Sequence, residues 1–168
     1  DPEKSGSLYK HTKINLRELT NRVKVIVEFD ATITELKPQD LAVAVSSANG
    51  TINIDGSMPY NSPVIYYPQQ NTVYTDNSVT WNFSMLELVT GYHNNLTINY
   101  PKTGQQVFNG DLIGSILMNT VNGGINLNCE NDFTIKFVLK DYCAECGTNF
   151  SCAIYVNNWL VHSYSTDL

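Results

Sequence analysis

Charge is scarce in this chain, and positive charge most of all. Ten Lys and Arg stand against 16 Asp and Glu in 168 residues, charged residues make up only 15%, and the net charge is −6. An acidic surface of this kind has no electrostatic footprint for nucleic acid and is repelled by anionic lipid. Apolar runs near the roughly 18 residues of a transmembrane helix are missing as well. So is a signal peptide. The opening "DPEKSGS", residues 1–7, reads as a linker or processed end, with an export signal expected upstream of a mature fragment. Internal repeats and low-complexity tracts are absent.

Catalytic patterns are equally sparse. None of His11, His93 and His162 lies near a nucleophile elbow or a His-Glu-x-x-His helix, so all three read as solvated or satisfied. Glycoside hydrolysis needs two carboxylates roughly 5–10 Å apart. The acidic residues are scattered and nothing marks a pair. The segment "CENDF" (129–133) offers oxygens but not the Asp-x-Asp-x-Asp-Gly spacing of a calcium loop. The expectation is a non-enzyme with no cofactor and no metal.

The four cysteines are Cys129, Cys143, Cys146 and Cys152. Cys143 and Cys146 form a Cys-x-x-Cys. A redox pair of this type sits at a helix N-terminus, which depresses the thiol pKa. Here "GTNFS" and another strand pattern follow. A structural zinc site wants a second such pair or close histidines, and neither is present. Disulfides suit an exported domain better. Cys143 and Cys152 flank a loop and are placed to face each other across a hairpin, leaving Cys146 to reach Cys129. Four cysteines allow three connectivities, and free thiols remain the alternative.

What the chain does have is β pattern. Tyr occurs ten times, and Asn, Thr and Ser are frequent. "RVKVIVEF" (22–29) alternates Val23, Val25, Val27 and Phe29 with polar residues, Ile26 excepted, and predicts a strand. "DLAVAVSS" (40–47) predicts a strand buried on both faces, because its outward residues are alanines. "NG" at 49–50 predicts a hairpin turn. "MPYNSPVIYYP" carries three prolines and predicts extended chain at a sheet edge. "SVTWNFSMLEL" (78–88) predicts a long strand. "NLTINYP" (95–101) and "QQVFN" (105–109) pair across "KTG". "GDLIGSILMNT" (110–120) is the one helical candidate, capped by Asp111. "DFTIKFVLKDY" (132–142) and "CAIYVNNWLVHSY" (152–164) predict two more strands, the second carrying Ile154, Val156, Trp159 and Val161. Seven or eight strands with one short helix make an all-β sandwich.

The order of these features resembles a known family. "LYKHTKINLRELTNRVKVIV", "VIYYP", "FSMLELVTGYHNNLTINYPKTGQQVFNGDLIGSIL" and "IYVNNWLVHSYSTDL" together are similar to the second domain of FimB-like fimbrial anchor and minor-subunit proteins of Bacteroidetes. The likeness runs from about Leu8 to Leu168. It implies a transthyretin-like Greek-key β-sandwich over residues 8–168, the C-terminal domain of a larger two-domain protein. It also implies a place at the bacterial outer surface, in a fimbrium. Other fimbrial subunits would be the partners, together with host or bacterial surface ligands. Membrane contact would come only through an upstream lipid anchor that this chain lacks. The physical means would be strand addition, in which a neighbour's extended segment fills an open sheet edge. Ending at Leu168, soon after its last strand, the chain is expected to accept such a segment rather than donate one. Val23, Val25, Val27, Phe29, Ile154, Val156, Trp159 and Val161 would build the core or flank the groove, with Trp159 the largest anchor. The cysteine-rich tip is not part of the family pattern. A second reading is a secreted carbohydrate-binding module, suggested by the tyrosines and polar loops.

Overall fold

The computed structural model describes residues 13, 16, 18–34, 36–102, 104–141 and 150–166. Among these, ten strands and one α-helix follow each other along the chain. They are β1 (Thr20–Phe29), β2 (Ala42–Ser47), β3 (Val64–Tyr66), β4 (Val73–Tyr74), β5 (Ser78–Leu86), β6 (Asn94–Tyr100), β7 (Gln105–Asp111), α1 (Leu112–Leu117), β8 (Asp132–Asp141), β9 (Phe150–Val156) and β10 (Trp159–Thr166). Two sheets result, with strand orders β10-β9-β8-β1-β5-β4 and β3-β2-β6-β7. The chain changes sheets between β1 and β2, β3 and β4, β5 and β6, and β7 and β8. All neighbours are antiparallel except β1 and β8, which pair in parallel with Val27 beside Phe137.

The alternation of β1 is what fixes its faces. Val23, Val25, Val27 and Phe29 are buried, while Arg22 and Lys24 are exposed. A one-residue slip would turn this whole apolar set to solvent, so the register is strongly specified. β5 and β8 continue the same face with Trp81 and Phe83, and with Ile135 and Phe137. Val43, Val45, Leu96 and Ile98 meet them from the smaller sheet. Phe108 and Phe137 join the two sheets, their ring centroids 4.7 Å apart at an interplanar angle of 53°.

β7 departs from strict alternation, since Val107 and Phe108 are both buried. The register with β6 shifts there, from Ile98 opposite Phe108 to Asn99 opposite Gln106. Val107 is thus an extra residue, a β-bulge that turns two successive side chains inward. Phe108 folds back over Gly110, where an added Cβ would lie 2.8 Å from the ring. Only glycine admits that approach. At the end of β7 the Asp111 carboxylate accepts the Ile113 N–H and caps α1, as its sequence predicts. α1 then buries Leu112, Ile113 and Ile116.

Three expectations change. The segment 152–164 is a hairpin rather than one strand, because Asn157 and Asn158 take φ of 47° and 71°, the left-handed pair of a tight I′ turn. That split and the two-residue β4 raise the count from seven or eight strands to ten. Asn49 and Gly50 do not form a hairpin turn. β2 and β3 are joined by residues 48–63, and Asn49 bridges to Ser62 instead. β2 is buried on one face only, with Ala42 and Ser46 exposed, since no described residue packs over that side of the smaller sheet enough to bury them. The Pro-rich segment does lie at an edge, as β3.

Candidate functional site

A sandwich that joins other chains by backbone pairing needs an accessible strand edge. Four strands end the two sheets. β3 and β4 have only three and two residues, and β3 is flanked by Pro63 and Pro68. Short, proline-bounded edges resist pairing. β7 carries the bulge and runs directly into α1. β10 is the remaining edge, eight residues long, and among the described residues only β9 pairs with it. Its own irregularity lies between Leu160 and His162.

The base of this edge is clamped. Asn157 donates its backbone N–H to the Thr134 carbonyl at 2.9 Å and accepts the Thr134 N–H on Oδ1 at 3.0 Å. The Asn119 amide donates to the Val156 carbonyl at 3.2 Å. The β9–β10 turn is therefore held both to β8 and to the segment leaving α1. Beyond it, Trp159 is 50% exposed and Leu160 59%.

Val23, Val25, Val27, Phe29, Ile154 and Val156 all lie in the core, and Val161 is partly buried against it. Trp159 is not the core anchor expected from its size. The I′ turn places it at the first position of an edge strand, where only part of its ring meets other residues. Cys152 is buried on β9, opposite Leu139. Cys129 is exposed with a free thiol, so the expected bond from Cys146 to Cys129 is not formed. Cys143 and Cys146 lie outside the described residues, as does His11. Of the tyrosines suggested for sugar stacking, Tyr67 is exposed, while Tyr66 turns inward and its hydroxyl accepts the Leu86 N–H at 3.3 Å. Tyr60 stacks on Tyr92, whose hydroxyl donates to the Met58 carbonyl.

Beside β1 a polar network had no signal in the sequence, because its members are far apart in the chain. Arg22 holds Asp132 in a two-pronged pair, Nε to Oδ1 at 2.6 Å and Nη2 to Oδ2 at 2.9 Å, and also bonds Glu18. These hydrogen bonds keep the Asp132 carboxyl below its ordinary value of 3.8. A depressed folded-state pKa contributes stability that is present above 3.8 and lost as pH falls through the folded value. In an NMR titration, Asp132 should therefore ionise below 3.8 and move up toward it in Arg22→Gln. An unchanged midpoint in that variant would remove Arg22 as the cause. Asn21 is fully buried beside this network. Its Oδ1 accepts the Leu88 N–H, and its amide donates to Asn131 Oδ1 at 3.2 Å.

Among the described residues, no helix is long and apolar enough to cross a membrane, and no three His, Cys, Asp or Glu gather as a metal site. Fold and edge together define a two-sheet all-β sandwich with one long accessible strand margin. Sequence comparison gives this class a family. Residues 3–165 match the family described as "Fimbrillin-A associated anchor proteins Mfa1 and Mfa2", and the chain belongs to it. It is 34% identical to the minor fimbrium anchoring subunit Mfa2 of Porphyromonas gingivalis over 166 residues, covering 99% of this chain and 49% of that protein. The solved structure of the Mfa2 anchor from that organism superposes with a TM-score of 0.75 at 33% identity, over 96% of this chain and 55% of the other. A Bacteroides thetaiotaomicron structure described as a candidate adhesin shares the fold, with a TM-score of 0.66 at 18% identity, over 86% of this chain and 52% of that one. Another from the same species, described as a candidate polysaccharide-binding protein, gives 0.65 at 19%, over 87% and 51%. The chain thus spans about half the length of the relatives it matches.

Proposed function

We propose that this chain is one domain of a fimbrial anchor or minor subunit, that it works at the bacterial cell surface without catalysis, and that it joins other fimbrial subunits by strand addition along β10. The observation that carries this reading is the edge itself. β10 is long, pairs only with β9 among the described residues, and begins with two half-exposed apolar side chains. An incoming strand would pair with the backbone groups of β10 that face away from β9 and cover Trp159 and Leu160, which removes apolar surface from water. Family membership supports the setting, and the Mfa2 relative is named as an anchoring subunit. In this reading a lipid anchor belongs to the part of the whole protein that this chain does not span.

The test uses the purified chain and the fimbrial subunits of the cell that makes it. Trp159→Ala and Leu160→Lys, combined, should weaken association at least about tenfold, or ~1.4 kcal/mol. The same changes should cost the folded chain only about 1 kcal/mol, because both side chains are half exposed. Undiminished association of the double variant would rule out the β10 edge. A wild-type chain that binds none of the subunits would end the reading.

A further inference from the structure

The open face of the six-stranded sheet carries a cleft unrelated to its edges. It has a volume of about 410 Å³, within the ordinary range for small-molecule sites. Its floor comes from three adjacent strands, where Lys24 on β1 lies between Asn82 on β5 and Thr134 on β8. Its wall is the segment Gln69–Asn71. That wall is held in place by the Gln69 N–H donating to the Asn82 carbonyl at 2.8 Å and by the Asn82 amide reaching Asn71 Oδ1 at 3.4 Å.

The charges in this region are unevenly matched. Arg22 is neutralised by Asp132 and Glu18, Lys136 by Glu28 at 2.6 Å, and Lys140 faces Asp30 at 3.8 Å. Both oxygens of Asp132 are taken by Arg22. Lys24 is exposed in the cleft and makes no ion-pair contact among the described residues, although its charge also helps lower the Asp132 carboxyl, whose oxygens are held by Arg22. An ammonium so placed, ringed by side-chain amides and hydroxyls, suits a ligand with one carboxylate and several hydroxyls. The charge-assisted bond supplies the stronger contact, and Gln69, Asn71, Asn82 and Thr134 supply partners for hydroxyls.

A peptide fits this cleft poorly. β1 is paired on both sides, to β5 and to β8, so its backbone has nothing left for an incoming main chain. The apolar residues at the floor, Val23, Phe83 and Phe133, turn their side chains into the core and are each 1% exposed. No pocket for an apolar peptide side chain results. The geometry points to a binding site for an acidic saccharide, a sugar of the uronic acid class, with Lys24 as the carboxylate partner and Asn71 and Asn82 as hydroxyl partners. Lys24 itself lies about 14 Å from β10, three strand spacings across the sheet, so its replacement leaves the β10 edge untouched.

Calorimetric titration of the folded chain with sodium trigalacturonate tests the assignment. Measurable binding is expected, with the side-chain amide NMR signals of Asn71 and Asn82 shifting as the sugar is added. Lys24→Gln should weaken binding about tenfold, and Asn71→Ala several-fold, with melting temperatures unchanged because both side chains are exposed. Neutral galactotriose should bind more weakly than the uronate. Absence of binding at millimolar uronate would overturn the site. Equal binding of the neutral sugar, or of a Glu-rich peptide, would overturn the ligand class. Binding that survives Lys24→Gln with the Asn71 and Asn82 signals unmoved would place the sugar elsewhere and equally defeat the proposal.

Discussion

Phe137→Ala is expected to destabilise the fold by about 3–5 kcal/mol, the usual cost of emptying an aromatic site in a packed core. Phe137 is fully buried on β8. It sits beside Val27 in the parallel ladder, opposite Ile154 in the antiparallel one, and against the ring of Phe108 in the other sheet. Its removal takes away transfer energy and leaves a cavity bordered by both sheets. The site has little scope to collapse, because β8 is held on both flanks. For a chain of this size the melting temperature should fall by on the order of 10 °C. A fall of only a degree or two would mean that the sheets are not bridged at this point. The same loss should lower association with partners only through the unfolded fraction, since Phe137 does not reach the β10 edge.

The second large effect is expected from a polar residue. Asn21→Ala strands the Leu88 N–H, which is buried and bonded to Asn21 Oδ1, and also frees Asn131 Oδ1 from its donor. A buried donor left without a partner costs about 1–3 kcal/mol. Asn21 ties the first turn of β1 to the segment leaving β5 and to the segment entering β8. The damage should therefore appear first as faster amide exchange at Leu88 and around Asn131, and only then as a lower melting point. Unaltered exchange at Leu88 in Asn21→Ala would show that this bond does not hold the segment. The contrast between the two variants is instructive. Phe137 acts through volume and transfer energy, whereas Asn21 acts through unmet hydrogen bonding, so the first should be partly rescued by Leu and the second by no apolar residue.

The strand pattern was legible wherever one face meets the core and the other meets water. β1 is the clearest case, since Val23, Val25, Val27 and Phe29 must share a side and do. α1 was legible from Asp111 and the apolar spacing after it. Legibility failed where a neighbour, rather than the local pattern, decides. Ala42 and Ala44 suit a buried outward face or an uncovered one equally well, and here Ala42 is exposed and Ala44 only half-buried. Asn157 and Asn158 break a run of apolar residues without glycine, yet asparagine tolerates positive φ well enough to reverse the chain. That reversal moved Trp159 from a presumed core position to the start of an edge.

Composition and alternation were enough to determine an all-β sandwich, because burial on a pleated strand repeats every second residue and is written directly in the chain; the fimbrial-anchor kinship came from the resemblance of its motif order to that family. Three features depended on the packed molecule: the parallel pairing of β1 with β8, the exposure of β10, and the meeting of Lys24 with Asn71, Asn82 and Thr134. Each joins segments tens of residues apart. Strand period says which side faces inward, but it carries no information about which strands become neighbours.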